Sequence, residues 1–424
     1  MRMKMKMNSP AITLEFFRHL LKKDRCMNTG KLGFFLLWLL CFTSIFIFFF
    51  LYSPNPFFRA TRRQEEQPSQ NVLIVKSNKY DEQCDLFTGR WIPDLQGSLY
   101  TNWSCPTIPD SKNCGKYGRK DSDFVYWRWK PDQCELPRFD PKTFLTFFRG
   151  KKLAFIGDSV ARNQMESLLC LLSQEETPTD TYKDVEDRFR TWYFPSYSFT
   201  LMVLWTKFLV MGEERMINGS LSGVFDLHLD KVDGKWADKL PGVDYAIVSE
   251  AHWFFRKNYL YEGDMLIGCV FCNEPNVTDL GLGFAIRMAF RTTLKFINAC
   301  KECRNLVTLL RTFSPSHFEN GTWNTGGNCN RTSPLSEVGL NLGGTEWELR
   351  TIQVEEVERA RKKGEKRGNK FKALDVTRAM LMRPDGHPGS HWNNKGMEGY
   401  NDCVHWCLPG PIDAWNDFLM PVLS

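Results

Sequence analysis

The chain has 424 residues, 42% hydrophobic and 25% charged, which is length and apolar content enough for a large buried core. Its formal charge of +6 is accounted for by residues 1–31, which hold eight Lys/Arg and two acids, so the remainder is formally neutral. That balance excludes a generally basic surface, and with it nucleic acid as the implied partner.

Residues 33–52, GFFLLWLLCFTSIFIFFFLY, run twenty positions without a charge. At about 1.5 Å per residue such a helix spans a ~30 Å hydrocarbon core. The stretch lacks the short apolar core and small-residue cleavage site of a secretory signal, so it reads as an uncleaved anchor. The preference of Lys and Arg for the cytosolic side makes residues 1–32 a cytosolic tail and puts everything after the anchor across the membrane. Residues 53–79 carry Pro54, Pro56, Pro68 and a polar run from Arg62 to Gln67, too little apolar surface to pack, and are expected to form a stem.

Twelve of the fourteen cysteines lie beyond the anchor, an even number suited to disulfides in an oxidising compartment. Five Asn-x-Ser/Thr sequons, at Asn102, Asn218, Asn276, Asn320 and Asn330, lie on the same side. Cys269-x-x-Cys272 and Cys300-x-x-Cys303 have the look of a zinc ribbon. The interval between them exceeds the roughly 15–20 residues of such sites, so no metal is expected. Residues 80–143 form a Cys-, Trp- and Tyr-rich region of short elements, whose aromatics are expected to pack a small core more than to stack on sugars.

From residue 144 to 424 the pattern becomes strand–loop–helix and predicts one large α/β domain. Leu153–Ile156, Tyr245–Ser249, Leu306–Arg311 and a run around Lys372–Val376 read as strands. Each opens into a polar or aromatic cluster, and in open α/β sheets ligands gather at the carboxyl ends of parallel strands. Apolar residues at Val160, Met165, Leu168, Leu169 and Leu172 have helical spacing. The basic run from Glu358 to Lys372 reads as a solvated helix end and loop. A C-terminal helix is expected over Ile412–Leu423.

The chemistry centres on Gly157-Asp158-Ser159, where a strand passes into a helix. A serine there is either a nucleophile or a helix cap, and as a nucleophile it needs a base. Asp402 and His405, three apart in DCVHWCLPGPIDAWN, can meet on one turn, the carboxylate orienting the imidazole. Cys403 and Cys407 bracket that histidine. Asp385-Gly386-His387 is a rival pair, in a Pro- and Gly-flanked turn that accounts for it without catalysis. His252 with Trp253, and His317, follow strands and are candidates to line a substrate cleft, as are Asp385 and His387.

GDSVARNQMESL and DCVHWCLPGPIDAWN together resemble the plant trichome-birefringence-like family of polysaccharide O-acetyltransferases. The Cys-rich stretch from Cys84 to Asp140 is similar to that family's N-terminal domain, and RTFSPSHFENGTWNTGGNC and MRPDGHPG to further segments. The resemblance implies an SGNH/GDSL-hydrolase-like parallel sheet flanked by helices, a Golgi membrane protein of single-pass type II topology with its catalytic domain lumenal, and a triad of Ser159, His405 and Asp402. It implies acetyl transfer to hydroxyls of a cell-wall polysaccharide, and SEAHWFFR is most similar to xyloglucan-acetylating members. It further implies disulfides Cys84–Cys134, Cys105–Cys170, Cys114–Cys407 and Cys329–Cys403, with Cys269, Cys272, Cys300 and Cys303 pairing among themselves.

Two positions depart from the family pattern. Val160 stands where Leu is common, and no Asn in SEAHW matches the usual oxyanion donor. Gly157, Asp158 and Arg162 are therefore the acyl-binding candidates, with the Ser159 N–H and Arg162 assigned to the oxyanion. The leading expectation is a seryl acetyl-enzyme that passes its acetyl to a sugar, with no bound cofactor. The donor is acetyl-CoA or an acetyl relayed by a membrane protein. An acetyl esterase with the same triad, and a non-catalytic wall-glycan-binding protein, are the alternatives.

Overall fold

The computed structural model describes residues 84–364, 368–393, 397 and 399–423, together with Thr43; the expected tail, anchor and stem otherwise fall outside them. No described helix is long and apolar enough to cross a membrane.

The Cys-rich region contributes a two-stranded antiparallel ladder, β1 (Gly89–Pro93) with β2 (Trp127–Pro131), that sets Trp91 opposite Trp129. Their rings meet edge to face at 5.8 Å, and the Trp91 indole donates to the carbonyl of Ala379. Most of the region's large aromatics are packing residues, Trp129 being 1% exposed, whereas Trp103 is 87% exposed. Cys84–Cys134 closes the region on itself, and Cys105–Cys170 and Cys114–Cys407 join it to the main domain. It therefore shares a core with that domain.

After α1 (Pro141–Phe147), capped by the Asp140 side chain, come β3 (Lys152–Gly157) and α2 (Ser159–Leu172). Then follow β4 (Thr179–Lys183), β5 (Phe189–Phe194), β6 (Phe199–Trp205), β7 (Val210–Ile217), β8 (Ser220–Val232) and β9 (Tyr245–Ser249). The chain continues through β10 (Asn258–Glu262), β11 (Met265–Val270), α3 (Gly281–Ala299), β12 (Val307–Arg311), α4 (Thr345–Gly364) and β13 (Lys370–Leu374). Seven strands form one sheet in the order β13-β12-β9-β3-β6-β5-β4. The five from β13 to β6 are parallel; β5 and β4 complete one edge antiparallel.

β3 lies at the centre and is buried on both faces, as its unbroken apolar run requires. Leu153 and Phe155 point into a core shared with α2, the Cys-rich region and the C-terminus; Ala154 and Ile156 point into the core beneath α3 and α4. The helical spacing in α2 buries Val160, Met165, Leu168, Leu169 and Leu172, each contributing about 1.5–3 kcal/mol.

Three features differ from the sequence reading. β7, β8, β10 and β11 build a separate four-stranded sheet, which the strands named above do not include. β13 starts two residues earlier than expected. The C-terminal helix is broken into Ala414–Asp417 and Leu419–Leu423, because Pro421 has no N–H to donate to the preceding turn.

Candidate active site

Gly157 ends β3 between Ser249 of β9 and Trp205 of β6. Its φ is +149°, and a Cβ there would lie 1.7 Å from the Ser249 carbonyl oxygen, so only glycine lets the strands close at this point. Asp158 follows in extended conformation, and its Oδ1 accepts from the N–H groups of Val160 at 2.9 Å and Ala161 at 3.2 Å. The aspartate is therefore the helix cap. Ser159, the first residue of α2, has its hydroxyl released from that task.

That hydroxyl meets His405 Nε2 at 2.8 Å, and His405 Nδ1 meets Asp402 Oδ2 at 2.8 Å. A carboxylate only accepts, so Nδ1 carries the imidazole proton and the bare Nε2 accepts from the serine O–H. Asp402 Oδ1 takes the backbone N–H groups of His405 and Val404 at 2.9 and 3.1 Å. Burial alone would raise the Asp402 pKa; the His405 charge, its hydrogen bond and the two backbone donors outweigh burial and hold the carboxyl well below the usual range. The Asp402 side chain is 5% exposed and that of His405 23%, so the base reaches the surface while its orienter does not.

The loop carrying Asp402 and His405 is fastened at several points. Cys403 is bonded to Cys329 and Cys407 to Cys114. The buried amide of Asn163, one turn after Ser159, accepts from the Trp406 N–H at 2.8 Å and donates to the Trp406 carbonyl at 3.3 Å. Helix and loop are thus tied together beside the residue that must be aligned. Nothing local in the sequence points to this role for Asn163, whose partner is 243 positions away.

Other candidates have different surroundings. The Arg162 guanidinium is committed to Glu166, to the Asp187 carbonyl and to the Asp187 carboxylate, so it is held by acidic groups and is not the oxyanion donor expected from its place on the helix. Asp385 is buried and grips Arg383 with both oxygens, at 2.8 and 2.9 Å. His387 is 2% exposed. Neither of these two lines a cleft open to substrate, and Asp385 is not the partner of His387.

His317 bonds His387, Nδ1 to Nε2, at 2.7 Å. His252 lies tilted against Phe313, with centroids 4.9 Å apart, and burial pushes its pKa down to about 4, so the ring is neutral. Trp253 sits with its edge to Trp205, and Lys207 and Arg256 lie over its ring, at the carboxyl edge of the sheet.

Behind Gly157, Arg311 donates to the Ser249 hydroxyl at 2.8 Å. Burial, then the Asp158 charge, raises the Glu250 carboxyl well above its ordinary range. No group of three or more His, Cys, Asp or Glu among the described residues is placed to hold a metal ion. The two Cys-x-x-Cys pairs are each closed as disulfides, Cys269–Cys272 and Cys300–Cys303.

Residues 136–422 match the GDSL/SGNH-like acyl-esterase family found in Pmr5 and Cas1p, and residues 82–135 match the PMR5 N-terminal domain. Xyloglucan O-acetyltransferase 4 of Populus trichocarpa is 58% identical over 424 residues, covering 100% of this chain and 99% of its own. Xyloglucan O-acetyltransferase 2 of Arabidopsis thaliana is 56% identical over 399 residues, 94% of each chain. Protein trichome birefringence-like 19 of Arabidopsis thaliana is 42% identical over 382 residues, 88% of each.

Proposed function

The chain belongs to the GDSL/SGNH-like acyl-esterase family found in Pmr5 and Cas1p, and from that premise we propose that it is a polysaccharide O-acetyltransferase acting on xyloglucan. The observation that carries this reading is the hydrogen-bonded run Ser159–His405–Asp402, in a chain 56–58% identical over nearly its whole length to proteins named xyloglucan O-acetyltransferase.

In the first step His405 Nε2 takes the Ser159 proton as Oγ attacks the donor's acetyl carbonyl, and the imidazolium returns a proton to the departing group. Asp402 stabilises that imidazolium. In the second step a sugar hydroxyl loses its proton to the same nitrogen and attacks the acetyl-serine. The new ester forms on the sugar, and the serine oxygen recovers its proton. The negative charge on each tetrahedral intermediate is met by the Ser159 N–H at the start of α2, where the helix dipole favours an anion. Asp158 leaves that donor to the reaction, because its own carboxylate takes the next two N–H groups.

The donor is acetyl-CoA or an acetyl relayed by a membrane protein. The enzyme works on the lumenal side of the Golgi membrane, anchored by residues 33–52; their uncharged sequence and the basic residues before them support the anchor and its orientation, and the Golgi is what the family resemblance implies.

The test is to incubate the full chain in detergent with acetyl donor and xyloglucan oligosaccharides and to read their masses. Gain of acetyl mass by the sugar is expected, and Ser159→Ala is expected to abolish it with little change in melting temperature. Loss of acetyl from pre-acetylated oligosaccharide without any gain would make the protein an esterase. Wild-type turnover in Ser159→Ala would reduce the serine to a structural residue.

A further inference from the structure

The segment around residues 384–389 runs alongside the loop that bears the base, and three contacts register the two. Gly389 and Asp402 exchange backbone hydrogen bonds of 2.9 and 2.8 Å, and the Cys407 N–H donates to the Gly386 carbonyl at 3.0 Å. Between them, His387 Nδ1 meets the carbonyl oxygen of His405 at 2.7 Å. The outer two contacts are backbone to backbone. The middle one, on the catalytic histidine itself, is made by a side chain.

A carbonyl oxygen has no proton to give, so His387 must carry its hydrogen on Nδ1. A neutral imidazole holds one N–H; its Nε2 is then bare and must accept. The group facing that nitrogen at 2.7 Å is His317 Nδ1, which therefore donates. His317 in turn has Nε2 3.3 Å from the Leu381 carbonyl, the longest of these contacts and the one that lacks a proton when both rings are neutral. Neutrality is the state burial favours: it pushes His317 down to about 4 and His387 well below the usual histidine value, the latter helped by any charge on His317. The buried Trp406 ring lies tilted over His387, with centroids 4.1 Å apart.

We propose that His387 is a positioning residue for the catalytic base: held as the Nδ1–H tautomer by His317, it anchors the His405 carbonyl and so sets the angle from which the imidazole reaches Ser159. The alternative tautomer would set two acceptors face to face at the His405 carbonyl and push the loop away from α2. The inference rests on His405 being the base that activates Ser159.

The amides of Asn and Gln separate this role from simple packing. An Asn side chain carries its N–H near the place of Nδ1, and a Gln side chain near that of Nε2. Full-length His387→Asn, His387→Gln and His405→Ala are compared with wild type for the rate at which acetyl donor alone labels Ser159, with KM for xyloglucan oligosaccharide and with melting temperature. His387→Gln is expected to label about 10–100-fold more slowly, the cost of a small misplacement of a catalytic group. His387→Asn, which keeps the donor, is expected to stay within about threefold of wild type, and acceptor KM to hold in both.

Equal rates in the Asn and Gln variants, whether both fast or both slow, overturn the proposal. If neither folds, His317→Leu decides: it frees the His387 tautomer and is expected to slow labelling without changing acceptor KM, and wild-type labelling there overturns it. Labelling that survives His405→Ala would instead remove the triad reading on which the proposal stands.

Discussion

Two aspartate–histidine pairs lie within twenty-one residues of one another, Asp385 with His387 and Asp402 with His405, and they do different work. Asp402 spends one oxygen on the imidazole of its own pair and the other on two backbone N–H groups. Asp385 spends both oxygens on Arg383, a guanidinium with no exposure that also donates to the carbonyl of Phe124 in the Cys-rich region. Its backbone carbonyl takes a further bond from Arg119. One carboxylate orients a base. The other fastens two parts of the chain. The difference lies in which group each meets, an imidazole or a guanidinium, and the residue types alone did not contain it.

Asparagine substitution at each position separates the two roles most sharply. Asp402→Asn is expected to lower turnover by about four orders of magnitude, because an amide favours the wrong imidazole tautomer and cannot support the imidazolium. Donor alone should then barely label Ser159. Asp385→Asn is expected to cost about 3–5 kcal/mol of stability, since it leaves the Arg383 charge buried without its counter-ion. Turnover per folded molecule should stay close to wild type. Denaturant unfolding together with single-turnover labelling measures both, and a reversed pattern would move the triad to the buried pair.

How much of this was legible depended on how local each signal was. Strand, Gly157-Asp158-Ser159 and helix are contiguous, and Asp402 and His405 are three apart, so both halves of the site could be read from sequence. Gly157 was legible as part of the strand-to-helix junction, but the carbonyl of Ser249 that forbids a Cβ there was not. The residue types left Ser159 open as nucleophile or cap, because Asp158 and Ser159 are both good caps; the backbone geometry gives the cap to Asp158.

Arg162 is one turn from Ser159 on the same helix, which suggested an oxyanion donor. Asp187, in the connection between β4 and β5, captures it instead. The pairing of His317 with His387 spans 70 positions and has no counterpart in any periodicity. The four long-range disulfides came from family resemblance, as spacing cannot determine connectivity.

A smaller effect tests whether the active pair also depends on its attachment to α2. Asn163→Ala removes both bonds to the Trp406 backbone, next to His405. Turnover is expected to fall by up to about 100-fold through misplacement of the base. Asn163→Asp should recover part of the loss, because its carboxylate still accepts from the Trp406 N–H although it cannot donate to the carbonyl. Wild-type kcat in Asn163→Ala would show that the disulfides at Cys403 and Cys407 suffice to hold the loop.

The smallest expected effect concerns a third aspartate, which meets neither an imidazole nor a guanidinium. Asp413 accepts from Ser167 at 2.6 Å, Tyr100 at 2.8 Å, Ser98 at 3.2 Å and the Gly410 N–H at 3.3 Å, all of them neutral donors. Burial outweighs those bonds and pushes its pKa from 3.8 up to about 6. The folded state therefore binds this proton more tightly than the unfolded chain does. The resulting stability is fully present below pH 3.8 and is lost as pH rises through about 6, the opposite sign to Asp402, whose depressed pKa adds stability above the ordinary carboxylate range and loses it on acidification. A shift of this size corresponds to about 1–3 kcal/mol. Asp417, raised by burial to about 7, contributes a slope of the same sign at slightly higher pH and remains in the variant. Denaturant unfolding at a series of pH values should show a flatter stability profile between pH 4 and 6 in Asp413→Asn than in wild type. Unchanged slope in the variant would mean that the four neutral donors are enough to keep Asp413 ionised, and that a carboxylate in this protein needs no cation to carry its charge.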